Sequence, residues 1–229
     1  IVQSIMKEIL ITCPTELEIK PFIERLNAVS SLDNNGCYLF GEKRVEIQIT
    51  GLGNTATAFH LGRLISLRSP LLCFQVGIAG SFDRNINIGE LVQLKSDSFG
   101  YWGARDKNDL PLSVFEIGLF DENEFPFSEG KLINPAAALD HFRIVNAVTV
   151  NEATGSERTI QETIQYHPAE IETMESASFM YACLMGNWPF HCIRSISNYI
   201  ELRDRSKWEI DKAVENLADG LIEVIAEIS

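Results

Sequence analysis

The sequence predicts an α/β protein that folds as a single domain over residues 1–229. Three observations support this fold class. Short apolar runs typical of buried strands alternate with segments whose apolar residues have helical spacing. Several of the strand-like runs end in loops that contain glycine. The sequence has no internal repeat, low-complexity tract or linker that would mark a boundary between two domains.

The N-terminal part begins with a predicted strand followed by a helix. Residues 8–13 (EILITC) have the composition of a buried strand, and a proline follows them. Thr15 and Glu18 have the spacing of a capping box, so a purely structural role for Glu18 is one interpretation. Residues 36–40 and 44–50 are predicted to form a β-hairpin or two sheet strands. The helix after Thr15 is predicted from apolar residues at helical spacing, which are Ile19, Phe22, Ile23 and Leu26.

Two loops that contain glycine follow predicted strands. The first, residues 51–55 (GLGNT), precedes a predicted helix over 56–66, and the second, residues 77–81 (GIAGS), follows a predicted strand over 71–76. Glycine lets backbone N–H groups approach an anion or a sugar closely. GLGNT is not the complete dinucleotide-binding pattern, and a tight strand-to-helix turn explains it equally well.

The middle of the chain is less regular. Residues 86–94 alternate like a strand, and residues 142–150 form a further apolar run. Between them, residues 95–130 are rich in aromatic residues, Gly, Pro and Asp. Long excursions of this kind are commonly functional or interfacial.

Residues 170–201 are the stretch around which we expect the functional site to be organised. They contain a short alternating run, a helix-like apolar segment and a strand-like run that ends in Ser197 and Asn198. Met174 and Glu175 lie at the first junction. Ligands of α/β proteins bind at the carboxyl ends of strands, so both junctions are candidates for one pocket. The structural alternatives are an acidic residue favoured by a helix dipole and a polar turn at a strand end.

A final amphipathic helix is predicted at the C-terminal end. Ser206 and Glu209 have the spacing of a second capping box. One face of the helix would carry the apolar residues Ile210, Val214, Leu217, Leu221 and Ile225.

Composition excludes several classes of partner. Hydrophobic residues make up 45% of the chain and charged residues 22%, which is an ordinary globular mixture. The formal net charge of −13 argues against binding to nucleic acid and to anionic membrane surfaces. A small-molecule substrate remains compatible, because a local pocket can differ from the whole molecule. The sequence contains no apolar run of the ~18 residues that a membrane-spanning helix needs.

Neither a metal nor a cofactor is expected from the cysteines and histidines. The chain has 5 cysteines without a CxxC pair, and each is predicted to be a small buried residue in reduced form. None of the 4 histidines clusters with a cysteine. The first residues run quickly into polar sequence without a secretory pattern, which predicts a cytoplasmic protein. The cysteines are Cys13, Cys37, Cys73, Cys183 and Cys192, and the histidines are His60, His141, His167 and His191.

Taken in order, the motifs TELE, GLGNT, VGIAG, INIGELV, TMES and RSISN resemble the nucleoside phosphorylase and nucleosidase family over nearly the whole chain. The resemblance implies a central mixed, twisted β-sheet flanked by helices, in the phosphorylase/hydrolase-like arrangement. It also implies a nucleoside substrate and a homodimer or a higher homo-oligomer. The ending ISNYIELRDRSKW is similar to a branch that hydrolyses a 6-oxopurine nucleoside with an aromatic carboxylate beyond C5′.

The resemblance also implies roles for individual residues. Glu175 matches a glutamate that accepts hydrogen bonds from the ribose 2′ and 3′ hydroxyls, and Met174 would pack beside the sugar. Glu18 matches a carboxylate that orients or deprotonates the attacking water, as carboxylates do in other glycoside hydrolyses. Further pocket positions, used mostly through backbone contacts, are Ala79, Gly80, Asn151 and Thr154, and Ser197 would support the geometry of its neighbour.

Water rather than phosphate is the expected nucleophile. Where related phosphorylases carry an arginine and a serine or threonine that hold phosphate, this chain has Gln75 and Ile78. A pocket without a cation should not bind a dianion, because a buried unpaired charge is costly. Arg84, or another arginine from a neighbouring subunit, is the alternative source of a phosphate site.

Asn198 predicts which purine base leaves the nucleoside. Relatives that cleave adenine nucleosides have aspartate there, whereas an asparagine amide supplies two N–H donors, which suit N7 and O6 of a 6-oxopurine. It would stabilise the leaving anion without acting as a general acid. Two alternatives remain: a nucleosidase for methylthioadenosine or adenosylhomocysteine, and a nucleoside-binding sensor without turnover.

The part of the substrate beyond C5′ is expected to lie under residues 99–127, which are alternatively a subunit contact. Its carboxylate would need a cation. Candidate cations, which the sequence does not rank, are Arg105, Lys107, Arg203 and Arg205.

Overall fold

The first strand of the chain lies inside a mixed β-sheet in the computed structural model, which describes residues 6–140 and 142–228. The α/β fold class predicted from the sequence is confirmed. The strands are β1 (Lys7–Cys13), β2 (Ser31–Leu32), β3 (Tyr38–Phe40), β4 (Lys43–Ile49), β5 (Leu72–Ser81), β6 (Leu91–Phe99), β7 (Gly103–Arg105), β8 (Pro111–Ser113), β9 (Phe127–Ser128), β10 (Lys131–Ile133), β11 (Arg143–Thr149), β12 (Ile171–Thr173) and β13 (Phe190–Tyr199). The helices are α1 (Glu16–Val29), α2 (Gly53–Ile65), α3 (Glu157–Tyr166), α4 (Ser176–Met185) and α5 (Ile210–Glu227), with a 3-10 turn at Arg205–Lys207.

The sheet curls back on itself. Its strands follow the order β2-β3-β4-β1-β5-β12-β11-β6-β10-β9, and β13 pairs with both β5 and β6. Strands β5, β12, β11, β6 and β13 therefore form a closed ring of pairings. Strands β4, β1, β5 and β13 run parallel, whereas β12 is antiparallel to β5. Because parallel strands end at the same edge, the loops after β1, β5 and β13 meet there.

Helices cover both faces of the sheet. On one face α1 and α5 pack against an apolar cluster that includes Phe22, Phe74 and Leu221. On the other face α2 and α4 enclose a second cluster that includes Leu61 and Phe179. The alternation of strands and helices predicted from the sequence thus produces a helix–sheet–helix sandwich.

One predicted strand begins later than expected. Residues 86–94 were expected to be extended, but β6 starts at Leu91. The preceding residues form a turn in which the Glu90 carboxylate accepts from the amide of Asn87 at 2.9 Å. Gly89 has a φ of +85°, a left-handed conformation that favours glycine over other residues. The apolar alternation therefore falls on a turn.

The second predicted capping box is wrong. Asp204, rather than Ser206, caps the turn at 205–207, and α5 starts after Glu209 without a side-chain cap. A capping box does form at Ser156 and Thr159, where it opens α3, a helix that the sequence analysis did not identify. Local spacing alone cannot distinguish these sites, because Ser, Thr and Glu serve turns and caps alike.

All five cysteines are buried and unpaired, as predicted. Within residues 6–140 and 142–228, no group of three or more His, Cys, Asp or Glu side chains is placed to hold a metal ion. His141 lies outside the described residues. Residues 1–5 also lie outside them, and they are part of the N-terminal stretch that was predicted to have no secretory pattern. None of the described helices combines the length and apolar character that crossing a bilayer requires.

Candidate active site

Three consecutive residues near the end of β5 each contact a different side chain from the predicted site. The amide of Ile78 donates to Glu18 Oε1 at 3.0 Å, and the carbonyl of Ala79 accepts from the Ser197 hydroxyl at 3.2 Å. Gly80 is the cross-strand partner of Asn198. Residues that are distant in sequence thus meet over one short segment, where the parallel strands end.

Glu18 lies in the first turn of α1, and its carboxylate points to β5. Thr15 caps the helix by accepting from the Glu18 amide at 3.4 Å. The Glu18 carboxylate is buried and accepts from the Thr15 hydroxyl at 2.5 Å as well as from Ile78. A Cβ at Gly77 would lie 2.8 Å from Glu18 Oε1, so glycine gives the carboxylate its space. The capping function is therefore carried by Thr15, and the carboxylate is shared with the strand.

Glu175 is the buried N-cap residue of α4. Its carboxylate accepts from the amide of Gly53 at 2.8 Å. Gly53 has a φ of +85° and opens α2, so part of the predicted glycine loop belongs to the helix. Burial is the main cause that raises the pKa of Glu175 above its usual range, while the charge of Arg194 and the Gly53 amide oppose the rise. The nearby charge of Glu18 adds to the rise.

Asn198 is held by a local network at the end of β13. The Ser197 hydroxyl lies 2.9 Å from Asn198 Oδ1, and Asn198 Nδ2 donates to the Tyr199 carbonyl at 3.1 Å. The register of β13 against β5 shifts between Ile196 and Asn198, as at a β-bulge, which re-aims side chains. One of the two N–H donors expected for a base is already engaged with Tyr199, so a single one remains.

A cavity of about 350 Å³ opens beside Asn198. Thr154 lines it together with residues 198–199 and 201–204. Of the four candidate cations, Arg203 lines this cavity, whereas Arg105 pairs with Glu162 at 2.8 Å. Arg84 and Lys207 line it too, and both pair with Glu201, at 2.6 and 2.7 Å.

The remaining predicted residues flank this centre. Asn151 is exposed, and its side-chain oxygen accepts from Asn54 at 3.2 Å. Asn54 in turn accepts from the hydroxyl of Ser178, on α4, at 2.6 Å. Met174 is half-buried directly before Glu175. Asn151 therefore joins the glycine loop to α4 at the edge of the site.

A buried arginine was missed by the sequence analysis. Arg194 has 0% exposure, and its guanidinium donates to Gln75 Oε1 at 2.5 Å and to the Ser176 hydroxyl at 2.7 Å. A cation therefore does lie next to Gln75, but its guanidinium is fully buried and its donors are directed to Gln75 and Ser176. It belongs to the RSISN motif, but a charged residue inside an apolar strand gives no periodic signal of its role.

Glu172 was also missed. It lies on β12 and is buried, and its Oε1 accepts from the amide of Thr154 at 2.9 Å. The alternating sequence before Met174 marked a strand, but it did not indicate that this acid points inward.

The aromatic excursion forms a separate cavity of about 960 Å³. Trp102 packs there against Phe115 and Phe120, with ring centroids 6.1 and 5.6 Å apart. Arg105, a candidate cation, lines this cavity, but none of the residues predicted to contact the ribose or the base does. Within the described part of the chain, the excursion therefore makes its own pocket rather than a wall of the cavity beside Asn198.

Comparison with known proteins gives one family and several relatives. The family model described as the phosphorylase superfamily matches residues 8–227. A futalosine hydrolase of Thermus thermophilus is 25% identical over 181 residues, which cover 78% of this chain and 80% of the relative. A 5′-methylthioadenosine/S-adenosylhomocysteine nucleosidase of Haemophilus ducreyi is 26% identical over 195 residues, covering 79% and 80%. The Helicobacter pylori nucleosidase bound to butyl-thio-DADMe-Immucillin-A has a similar fold, with a TM-score of 0.76 at 16% identity over 97% of this chain and 99% of that one.

Proposed function

The chain belongs to the phosphorylase superfamily, and we propose that it is a purine nucleoside N-glycosidase that hydrolyses futalosine to dehypoxanthine futalosine and hypoxanthine, a step of the alternative menaquinone pathway. The observation that carries the proposal is that Glu18 and Asn198 lie beside Ile78 and Gly80 at the end of β5, with Glu175 near enough for the charge of Glu18 to raise its pKa. Two acids and an amide are the groups that this reaction needs.

Cleavage of an N-glycosidic bond develops positive charge on the ribose and negative charge on the leaving base. Glu175 accepts hydrogen bonds from the ribose hydroxyls and, when ionised, stabilises the cationic sugar. Glu18 orients the attacking water and takes its proton. The free N–H of Asn198 donates to the departing base, and solvent supplies the proton that the base finally needs.

Water is the nucleophile in this proposal. Ile78 offers no polar side chain to a phosphate, and its amide is engaged by Glu18. Arg194 is fully buried, with donors directed to Gln75 and Ser176. A dianion placed on the Glu18 side of β5 would meet a carboxylate rather than a free cation, which disfavours phosphate.

The base is proposed to be hypoxanthine. Asparagine at position 198 has no proton to transfer to N7 of a leaving adenine, which a protonated aspartic acid can do. Its remaining N–H can still stabilise the anion of a 6-oxopurine base by a hydrogen bond. The second candidate is methylthioadenosine or adenosylhomocysteine, favoured by the equally similar Haemophilus ducreyi nucleosidase and by the loss of one Asn198 N–H to Tyr199.

A substrate panel tests the proposal. The protein is incubated with futalosine, inosine and methylthioadenosine, each with and without phosphate, and the released base and sugar are identified by chromatography and mass spectrometry. We expect hypoxanthine and a free sugar, with futalosine as the fastest substrate and no effect of phosphate.

Each other outcome removes one part of the proposal. Adenine release from methylthioadenosine at the highest rate overturns the role of Asn198. A sugar phosphate overturns the choice of water. Nucleoside binding without turnover would show that the protein is a nucleoside-binding sensor rather than an enzyme. Absence of both binding and turnover would contradict the proposal as a whole.

A further inference from the structure

Glu172 and Asn198 are both cross-strand partners of Gly80. Glu172 pairs with Gly80 between β12 and β5, and Asn198 pairs with it between β13 and β5. Paired residues of adjacent strands point to the same face of a sheet. With strands ~4.8 Å apart, the Cα atoms of Glu172 and Asn198 are roughly 10 Å from each other. Two polar side chains therefore flank a residue without a side chain.

The space above Gly80 is apolar. A Cβ on Gly80 would lie 2.3 Å from Ile200 Cδ1 and 3.2 Å from Asn198 Nδ2. Ile200 can therefore pack onto the strand only because position 80 is glycine. The result is an apolar surface with an amide on one side and a carboxyl group on the other, which suits a flat heterocycle with polar edges.

The Glu172 carboxyl group is buried with one oxygen satisfied. Its Oε1 accepts from the amide of Thr154, which lines the cavity beside Asn198. Its Oε2 is buried and makes no hydrogen bond with any described residue. Burial raises the pKa of Glu172, while the hydrogen bonds from Thr154 and the charge of Arg203 oppose the rise. A buried acceptor without a donor is costly unless a ligand supplies one.

We propose that Glu172 is a specificity-determining residue whose free carboxylate oxygen accepts the ring N1–H of a 6-oxopurine. This inference rests on the proposed function. A 6-oxopurine carries a donor at N1, whereas adenine carries an acceptor at the same atom. Asn198 retains one N–H and reads one acceptor of the base. Glu172 adds a hydrogen-bond acceptor to the donor that Asn198 supplies. The two residues together distinguish hypoxanthine from adenine, which the Asn198 amide alone does not.

Binding of the free bases tests this inference without the 5′ part of the substrate. Hypoxanthine and adenine are titrated calorimetrically into the wild type, Glu172→Gln and the control Glu170→Gln. The control carries the same substitution two residues earlier, at a carboxylate that accepts from the Asn146 amide at 2.8 Å and that is not a cross-strand partner of Gly80. Thermal melts establish that each variant is folded.

We expect the wild type to prefer hypoxanthine. Glu172→Gln should weaken the binding of hypoxanthine by about 10- to 100-fold, because an amide N–H of the glutamine then faces the N1–H of the base. The same variant should bind adenine as tightly as the wild type or more tightly, since its amide donates to N1. Glu170→Gln should leave both affinities unchanged.

A structural role of Glu172 predicts something different, namely equal losses for both bases. That result, or an unchanged preference in Glu172→Gln, overturns the inference while the proposed function stands. A wild type that binds neither base overturns the inference together with the purine site on which it rests.

Discussion

Glu18 illustrates how one residue serves two structural contexts. Its backbone amide belongs to the cap of α1, where Thr15 accepts from it. Its carboxylate is turned away from the helix axis to the Ile78 amide. Glu175 has a similar position at the start of α4, where its carboxylate reaches Gly53. Both acids are thus fixed by backbone amides of other elements, which orient them before a substrate arrives.

Removal of either charge should abolish most of the activity. Glu18→Gln and Glu175→Gln are expected to lower kcat about 10²- to 10⁴-fold, because each removes a group that acts in the transition state. Futalosine turnover and thermal melting are measured together. Glu16→Gln, an exposed acid in the same turn of α1, is the control and should keep the wild-type rate. Wild-type rates in both site variants would show that the roles are assigned to the wrong residues.

The pKa of Glu175 predicts the acid side of the pH profile. Burial raises this pKa above its usual range, and the proposed role requires the ionised form. Activity should therefore fall as the pH decreases through the raised pKa, at a higher pH than for an exposed glutamate. The pH dependence of kcat/KM reports this group in the free enzyme. Glu172→Gln should retain this acid limb, since it removes the other buried carboxyl near the site. A profile that stays flat down to the pKa of an exposed glutamate would contradict the assignment.

At the scale of elements, the end of β5 is the common support of the site. Gly77 lies next to the Glu18 carboxylate, and a Cβ there would also lie 3.5 Å from Pro14. Its φ is not in the left-handed region, so alanine fits the backbone but displaces the carboxylate. The strand therefore determines where the acid points.

Gly77→Ala tests this support. We expect a folded protein whose kcat is lowered about 10- to 100-fold, because small misplacements of a catalytic group are costly. Glu16→Gln, which changes an exposed acid in the first turn of α1, is the control and should keep the wild-type rate. Equal activities of the two variants would show that the position of the Glu18 carboxylate is unimportant.

The secondary-structure elements were largely predictable from the sequence. The contacts that side chains make between these elements were predictable only in part. Apolar periodicity is strong over β1, α1 and α5, because each buries one face against the sheet. It failed at residues 86–90, where a turn carries the same alternation. Glu18, Glu175 and Asn198 were identified through motif resemblance. Arg194 and Glu172 were not, because their importance lies in burial and in contacts with residues far along the chain.

At the scale of the whole molecule, the closed ring of strands brings the site together. β13 pairs with β5 and β6, which places position 198 beside position 80. The antiparallel β12 inserts beside β5 and delivers Glu172 and, two residues after it ends, Glu175. The site thus depends on the closure of the sheet rather than on any single local motif.

The outer face of α2 is a candidate surface for contact between two copies of the chain. Leu52 and Phe59 are 64% and 62% exposed, and Thr55 and Gly62 lie on the same helical stripe. The Arg63 guanidinium lies over the Phe59 ring, 5.8 Å from its centroid, at one side of this stripe. Exposed apolar side chains on one helical face are typical of a protein contact. α2 begins at Gly53, whose amide holds Glu175. Contact between two copies through this face would therefore fix the position of Gly53 at the start of α2 and, through its amide, the Glu175 carboxylate.

We predict a homodimer formed through α2 that Phe59→Asp dissociates, because the substitution removes the large apolar side chain at the centre of the stripe and puts a charge into the contact. Light scattering coupled to size exclusion measures the mass, and futalosine turnover is followed at the same concentrations. Leu119→Asp is the control, since Leu119 is 71% exposed on the aromatic excursion, the other candidate contact surface. Phe59→Asp should be monomeric and less active, with partial recovery of activity at high protein concentration. Leu119→Asp should remain dimeric.

Two results would contradict this prediction. If only Leu119→Asp dissociates the dimer, the interface lies on the aromatic excursion. If the wild type is monomeric and fully active, Glu175 is held in place within one chain.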